Sequence, residues 1–216
     1  MRKKLLRFKD NKEASNVIEP GKAIYKTIKG HWDVHFGNGN PLNVELGCGR
    51  ATYTVALAER LGAINFIGID IKGSRLWAGS QAAMEKGLSN VALVRSDIRR
   101  LEDFFRKEEI ANIYLPFPDP RPRDKDEKKR LTSPYFLGLY KKLLSKGGAL
   151  YFKSDNQALF DYTRHMLVKH GFKLLMVTEN IHKTLPDDHL LCAVKTPYEK
   201  RFLAEGLTIK YIHATL

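Results

Sequence analysis

Hydrophobic residues along this chain fall into short unbroken runs separated by longer stretches in which they recur three and four apart. The alternation sets in after a break at Gly37-Asn38-Gly39-Asn40-Pro41. Residues 42–46 read as a strand, 51–61 as a helix, 65–69 as a second strand and about 74–86 as a helix. Strands follow at 91–94 and 111–115, then a helix at 134–144 stopped by Lys146-Gly147-Gly148. A strand at 149–152, a helix at 157–170, a strand at 172–177 and a last strand at 207–212 complete the series. Strands alternating with helices of this length predict an α/β fold, a seven-stranded, mostly parallel sheet with helices on both faces. Before the break, 22–36 reads as a helix carrying Tyr25, Ile28 and Trp32. Residues 1–21 read as a basic N-terminal arm whose order is left open, and 22–216 as one domain.

Parallel sheets of this kind bind ligands beyond the carboxyl ends of their strands, so residues just after each strand carry the interest. The first strand runs into Glu45-Leu46-Gly47-Cys48-Gly49, a GxG turn into a helix. Glycines there allow a tight turn and a close approach of ligand to backbone. The second strand ends at Asp70, about 20 residues past the second glycine, where a carboxylate suits ribose hydroxyls. Asp97 follows the third strand and is placed to accept from an adenine amino group, or simply to cap a helix. A dinucleotide site wants a third glycine, and this chain has Thr52 there. Glu45 beside the loop would repel a pyrophosphate and suits the positive sulfonium or amino end of S-adenosylmethionine.

The most specific stretch follows the fourth strand: Pro116-Phe117-Pro118-Asp119-Pro120-Arg121-Pro122-Arg123. The alternating prolines stiffen the backbone and hold the Asp119 carboxylate in a narrow range of positions. Asp124 to Arg130 is a mixed charge run, and Asp155 lies after the fifth strand. Thr196-Pro197-Tyr198-Glu199 reads first as a helix start, with Thr196 as cap, Pro197 in the first turn and Glu199 closing a capping box.

Charge adds a partner to this picture. Among 216 residues, 37 Lys and Arg against 24 Asp and Glu leave a net +13, which favours a polyanion such as nucleic acid. Two cysteines, Cys48 and Cys192, are too few for a disulfide framework and fit a reduced, cytoplasmic setting. No run reaches the roughly 18 apolar residues of a membrane span. His31 and His35 stand four apart without an acidic or cysteine companion, so no metal is expected. The rival readings are a same-fold methyltransferase with another RNA or a small molecule as acceptor, a non-catalytic RNA-binding module, and, last, a nicotinamide-dependent oxidoreductase.

Taken together, the glycine loop with Glu45, the acid at Asp70, the Phe117-Pro118-Asp119-Pro120 segment with Pro122, Lys128-Lys129-Arg130, Ser154-Asp155 and Thr196 to Glu199 with Arg201-Phe202 resemble the tRNA (guanine-N7-)-methyltransferase family. The resemblance implies a Rossmann-like class I methyltransferase that uses S-adenosylmethionine and methylates a guanine in the tRNA variable loop. By that likeness Glu45, Gly47, Gly49, Asp70, Asp97 and Asp119 contact the methyl donor. Arg123, Asp155, Thr196, Pro197, Tyr198 and Glu199 handle the guanine or its surroundings, with Asp119 and Asp155 as the catalytic pair. The chain departs from the pattern at Arg121, where the family usually has Trp, and at Asp124, Asp126 and Glu127 in an otherwise basic run. Monomer and homodimer both remain open.

Overall fold

The computed structural model describes residues 2–216, which divide at Ile110/Ala111 into two compact units. The first unit holds four strands, β1 (Val17–Ile18), β2 (Leu42–Leu46), β3 (Asn65–Asp70) and β4 (Val91–Arg95), in the order β1-β4-β3-β2. Every pairing within it is parallel. β2 and β3 are buried along their whole length. That is why they read as unbroken apolar runs rather than as alternating ones. Helices Thr52–Arg60 and Gly73–Glu85 pack on β3 and β4 and return the chain from one parallel strand to the next.

The second unit carries β5 (Ile110–Pro116), β6 (Leu144–Ser154), β7 (Lys173–Thr178) and β8 (Lys210–Thr215) in the order β5-β6-β8-β7. β8 runs antiparallel to both β6 and β7. Helix Gln157–Lys169 packs on this group, with Asn156 as its N-cap accepting from the Leu159 amide at 2.8 Å.

Eight strands are therefore present among the described residues, one more than the hydrophobic pattern predicts. The addition is β1, two residues long, which pairs with β4 through Val17 and Ile18. Two other differences have clear causes. The stretch 22–36 is broken into helices Ile24–Thr27 and Trp32–Phe36, because Gly30 adopts φ +72. That left-handed conformation is one that glycine adopts without a Cβ penalty. Within the stretch read as an arm, Arg2–Glu13 is a helix packed against Gly73–Glu85. Polar contacts hold it: Asn11 Nδ2 donates to the Gly73 carbonyl and Trp77 Nε1 to the Asp10 carboxylate, each at 2.8 Å. Among the described residues no helix is long and apolar enough to cross a membrane.

Candidate functional site

In the first unit, the glycine loop is tied down by the strand beside it. The amides of Gly47 and Cys48 both donate to the Ile69 carbonyl, at 2.8 and 3.1 Å. Gly47 and Gly49 stand at φ +76 and +59, a region in which glycine carries no Cβ penalty, and Ala51 follows at +53. A Cβ added at Gly47 or Gly49 would meet nothing within 4 Å, so the outer side of the loop is open backbone. The inner side is the reverse. A Cβ at Gly79 would fall 2.6 Å from Ala51 Cβ, and one at Gly68 would fall 3.0 Å from both Cys48 Sγ and Thr54 Oγ1. The loop is thus pressed onto β3 and the helix behind it while its outer face stays clear for a ligand.

Two carboxylates brace the loop. Asp70 accepts from the Gly49 amide at 3.0 Å and from the Lys72 amide at 2.7 Å, so it fixes both its own turn and the glycine loop. Glu45 is buried and accepts from the Thr54 amide at 2.8 Å and from the Thr54 hydroxyl. Burial lifts its carboxyl from an ordinary 4.5 to about 7; the Thr54 bonds oppose that rise and nearby Asp70 adds to it. The buried Cys48 thiol is pushed up by the same loss of water, which leaves it a space-filling residue. Asp97 is engaged differently. It caps the turn Ile98–Asp103, accepts from the Arg99 amide at 2.9 Å and pairs with the Arg99 guanidinium, whose hydrogen bond holds its carboxyl low. The cap expected of this acid is built.

The second unit gathers the other candidates at the carboxyl ends of β5 and β6. The Phe117 amide donates to the Lys153 carbonyl at 2.9 Å, which brings the loop of Asp119 and the turn of Asp155 to one sheet edge. Phe117 and Arg121 both adopt positive φ, +54 and +46, so the proline segment doubles back sharply around Asp119. Asp119 is exposed, accepts from the Arg121 amide at 3.2 Å and pairs with its guanidinium at 3.2 Å. Arg121 thereby stands beside the carboxylate. Asp155 is partly buried, and its carbonyl accepts from Lys210 Nζ at 3.1 Å.

Two acids of the charge run, Asp126 and Glu127, turn inward, while Asp124 stays exposed. Asp126 is buried under Arg123, at 2.7 Å, and Lys129, at 2.6 Å, while Glu127 accepts from the Tyr162 hydroxyl at 2.5 Å. Arg130 stacks over the Tyr162 ring at 4.4 Å and donates to the Arg121 carbonyl, bracing the proline segment. Arg123, Lys125, Lys128 and Lys129 remain on the outside.

Thr196 caps helix Pro197–Ala204, accepting from the Glu199 amide at 3.0 Å. The other half of the expected capping box is absent. The Glu199 carboxylate is fully buried and bonds instead to Lys153 Nζ, at 3.1 Å from both oxygens, and to His182 Nε2 at 2.9 Å. Lys153 and His182 went unnoticed in the sequence, since only the fold brings them to Glu199. Tyr198 stays exposed on the first turn, and Phe202 on the same helix packs its ring 5.6 Å from that of Phe117.

A family model described as "Putative methyltransferase" matches residues 39–212. A tRNA (guanine-N(7)-)-methyltransferase of Cytophaga hutchinsonii is 42% identical over 214 residues, 98% of this chain and 96% of that one. One of the same name from Listeria monocytogenes is 37% identical over 213 residues, 97% of this chain and 98% of that one. The chain belongs to the tRNA (guanine-N7-)-methyltransferase family. Solved structures share the fold at lower identity. The 16S rRNA methyltransferase KamB superposes with a TM-score of 0.64 at 12% identity, covering 87% of this chain and 93% of that one. An antibiotic-related methyltransferase gives 0.61 at 21%, covering 84% and 90%. The open glycine backbone and buried Glu45 of this methyltransferase fit a methyl donor that carries positive charge at one end.

The Glu45 carboxyl then makes two quantities move in opposite directions with pH. Its folded-state value lies above that of the unfolded chain, so its protonated form favours folding, and that contribution fades as pH rises through about 7. A cationic ligand favours the ionised form, so donor affinity rises over the same window. Melting temperature without donor and donor affinity by calorimetry, followed from about pH 5.5 to about pH 8, should diverge in this way. Glu45→Gln should flatten both trends, and a variant that parallels the native protein throughout would remove Glu45 as their source.

Proposed function

We propose that this chain transfers the methyl group of S-adenosylmethionine to N7 of a guanine in the variable loop of tRNA. The observation that carries this reading is likeness along nearly the whole chain to tRNA (guanine-N(7)-)-methyltransferases, with the donor loop and the proline segment both intact. The donor supplies a methyl group on a sulfonium, an electrophile that needs no activation by an acid. Guanine N7 carries an exposed lone pair and loses no proton when it is methylated. What falls to the protein is orientation of the two partners and electrostatic support.

In this reading Gly47 and Gly49 let the donor lie against the backbone, Glu45 faces its cationic end and Asp70 accepts from its ribose. Asp97, already a helix cap, keeps lone pairs for the adenine edge, and the family likeness assigns Asp119 to the donor as well. Asp155 accepts from the N1–H and amino edge of the guanine. Thr196, Pro197 and Tyr198 form the wall on which the base rests, with Glu199 buried behind it and Arg123 reaching the phosphates. Drawing the base out of its tertiary contacts costs a few kcal/mol. The outward cations at Arg123, Lys125, Lys128 and Lys129 offset that through the backbone.

Transfer of labelled methyl from S-adenosylmethionine to bulk tRNA, followed by nucleoside digestion, tests the reading directly. The expected product is 7-methylguanosine, placed in the variable loop by fragment mapping. Donor binding without methylation of tRNA would overturn the acceptor while leaving the donor half standing.

A further inference from the structure

The buried pair of Lys153 and Glu199 has no place in the methyl-transfer scheme, yet it joins the two segments assigned to the guanine. Lys153 lies two residues before Asp155 at the end of β6, and Glu199 lies one residue after Tyr198. Both side chains are almost wholly enclosed, 3% and 0% exposed. Lys153 Nζ reaches both Glu199 oxygens at 3.1 Å and also donates to the Leu191 carbonyl. His182 Nε2, on the turn Ile181–Thr184, closes the group from the other side at 2.9 Å. Through Lys153 and His182, this carboxylate ties β6 and the turn Ile181–Thr184 to the helix that presents Tyr198. A second clamp on that helix, Phe202 against Phe117, ties it to the loop of Asp119.

An enclosed ion pair is a weak source of stability, since removing two charges from water offsets most of their attraction. What such a pair does supply is a fixed geometry, because neither partner can shift without stranding the other. The Glu199 side chain is also wholly enclosed, which leaves it no open edge with which to read a base. Tyr198, 54% exposed on the adjoining position, is the side chain that this arrangement holds out.

We infer that Lys153, with His182, is a positioning residue that acts through Glu199 to set Tyr198 against the target guanine, and that Glu199 itself does not contact the base. The inference rests on the proposed reaction. Tyr198 lies well away in kind from the phosphate contacts that dominate overall tRNA affinity, so loss of its alignment should lower kcat and leave KM for tRNA nearly unchanged.

The test is a double-mutant cycle on the full-length enzyme, with Lys153→Met and Glu199→Gln introduced together so that no buried charge is left alone, alone and combined with Tyr198→Ala. With donor-binding stoichiometry by calorimetry fixing the folded fraction, the paired change should lower kcat at least about tenfold, because small misplacements of reacting groups act on turnover. Adding Tyr198→Ala should lower it no further than the larger single effect. Should the paired variant fail to fold, His182→Gln enters the same cycle in its place with the same expectation. Losses that multiply, or an unchanged kcat, would overturn the inference. Failure of the native enzyme to form 7-methylguanosine would instead bring down the reaction on which it rests.

Discussion

Asp70→Ala should weaken binding of S-adenosylmethionine by about 10²–10³-fold, the largest effect expected in the first unit. The carboxylate serves two structures at once. Its Oδ2 holds the Gly49 amide and its Oδ1 the Lys72 amide, so truncation removes the restraint on the glycine loop as well as the acceptor proposed for ribose. Hydrogen bonds to a charged group contribute roughly 1.5–3 kcal/mol each, so loss of the ribose contact together with loosening of the loop amounts to about 3–4 kcal/mol. Each tenfold in affinity corresponds to about 1.4 kcal/mol, which gives the range above. Calorimetric titration of the variant with the donor measures it, and circular dichroism confirms that the fold persists. Asp70→Asn, which keeps an acceptor but loses the charge and gains a donor that faces the same amides, should fall between the two. A dissociation constant within about threefold of the native value would show that the loop is held without Asp70.

The glycine loop and its acid were legible in the sequence because their determinants are local. β2 and β3 are buried from end to end, so their hydrophobicity is continuous, and the loop between strand and helix announces itself through Gly47 and Gly49. Asp70 follows from its place at the next strand's tip. What stayed hidden depends on partners far along the chain. Arg2–Glu13 is rich in cations and docks through Asp10 and Asn11 rather than through an apolar stripe, so periodicity gives it no mark. β1 is two residues long and pairs with a strand more than seventy residues away. The acids at Asp126 and Glu127 look like dilution of a basic run when read in line. In the fold they face Arg123, Lys129 and Tyr162, so the outer surface keeps its cations. Glu199 fits a capping box by spacing alone, and only the approach of Lys153 and His182 diverts its carboxylate.

Asp155→Ala should lower turnover on tRNA by about 10²–10³-fold while donor affinity stays within about twofold of native. Its surroundings separate a chemical role from a structural one. The helix that follows is capped by Asn156, whose side chain accepts from the Leu159 amide at 2.8 Å, so Asp155 is not needed to start it. Ser154 Oγ accepts from the Asn156 amide at 3.0 Å, and Lys210 holds the Asp155 carbonyl rather than its carboxylate. The backbone of the turn is thus fixed by neighbours, and removal of one carboxylate leaves the turn in place. What disappears is the acceptor pair proposed for the guanine N1–H and amino group, whose alignment would set the direction in which N7 points. Orientation of reacting partners is worth several kcal/mol, and a misplacement of about 1 Å costs on the order of 10²-fold in rate. Because phosphate contacts carry most of the RNA affinity, KM for tRNA should move far less than kcat. Single-turnover methylation with saturating donor and tRNA isolates the step. A variant that turns over at the native rate with native KM would transfer the orienting role from Asp155 to Asp119, the other carboxylate at that sheet edge.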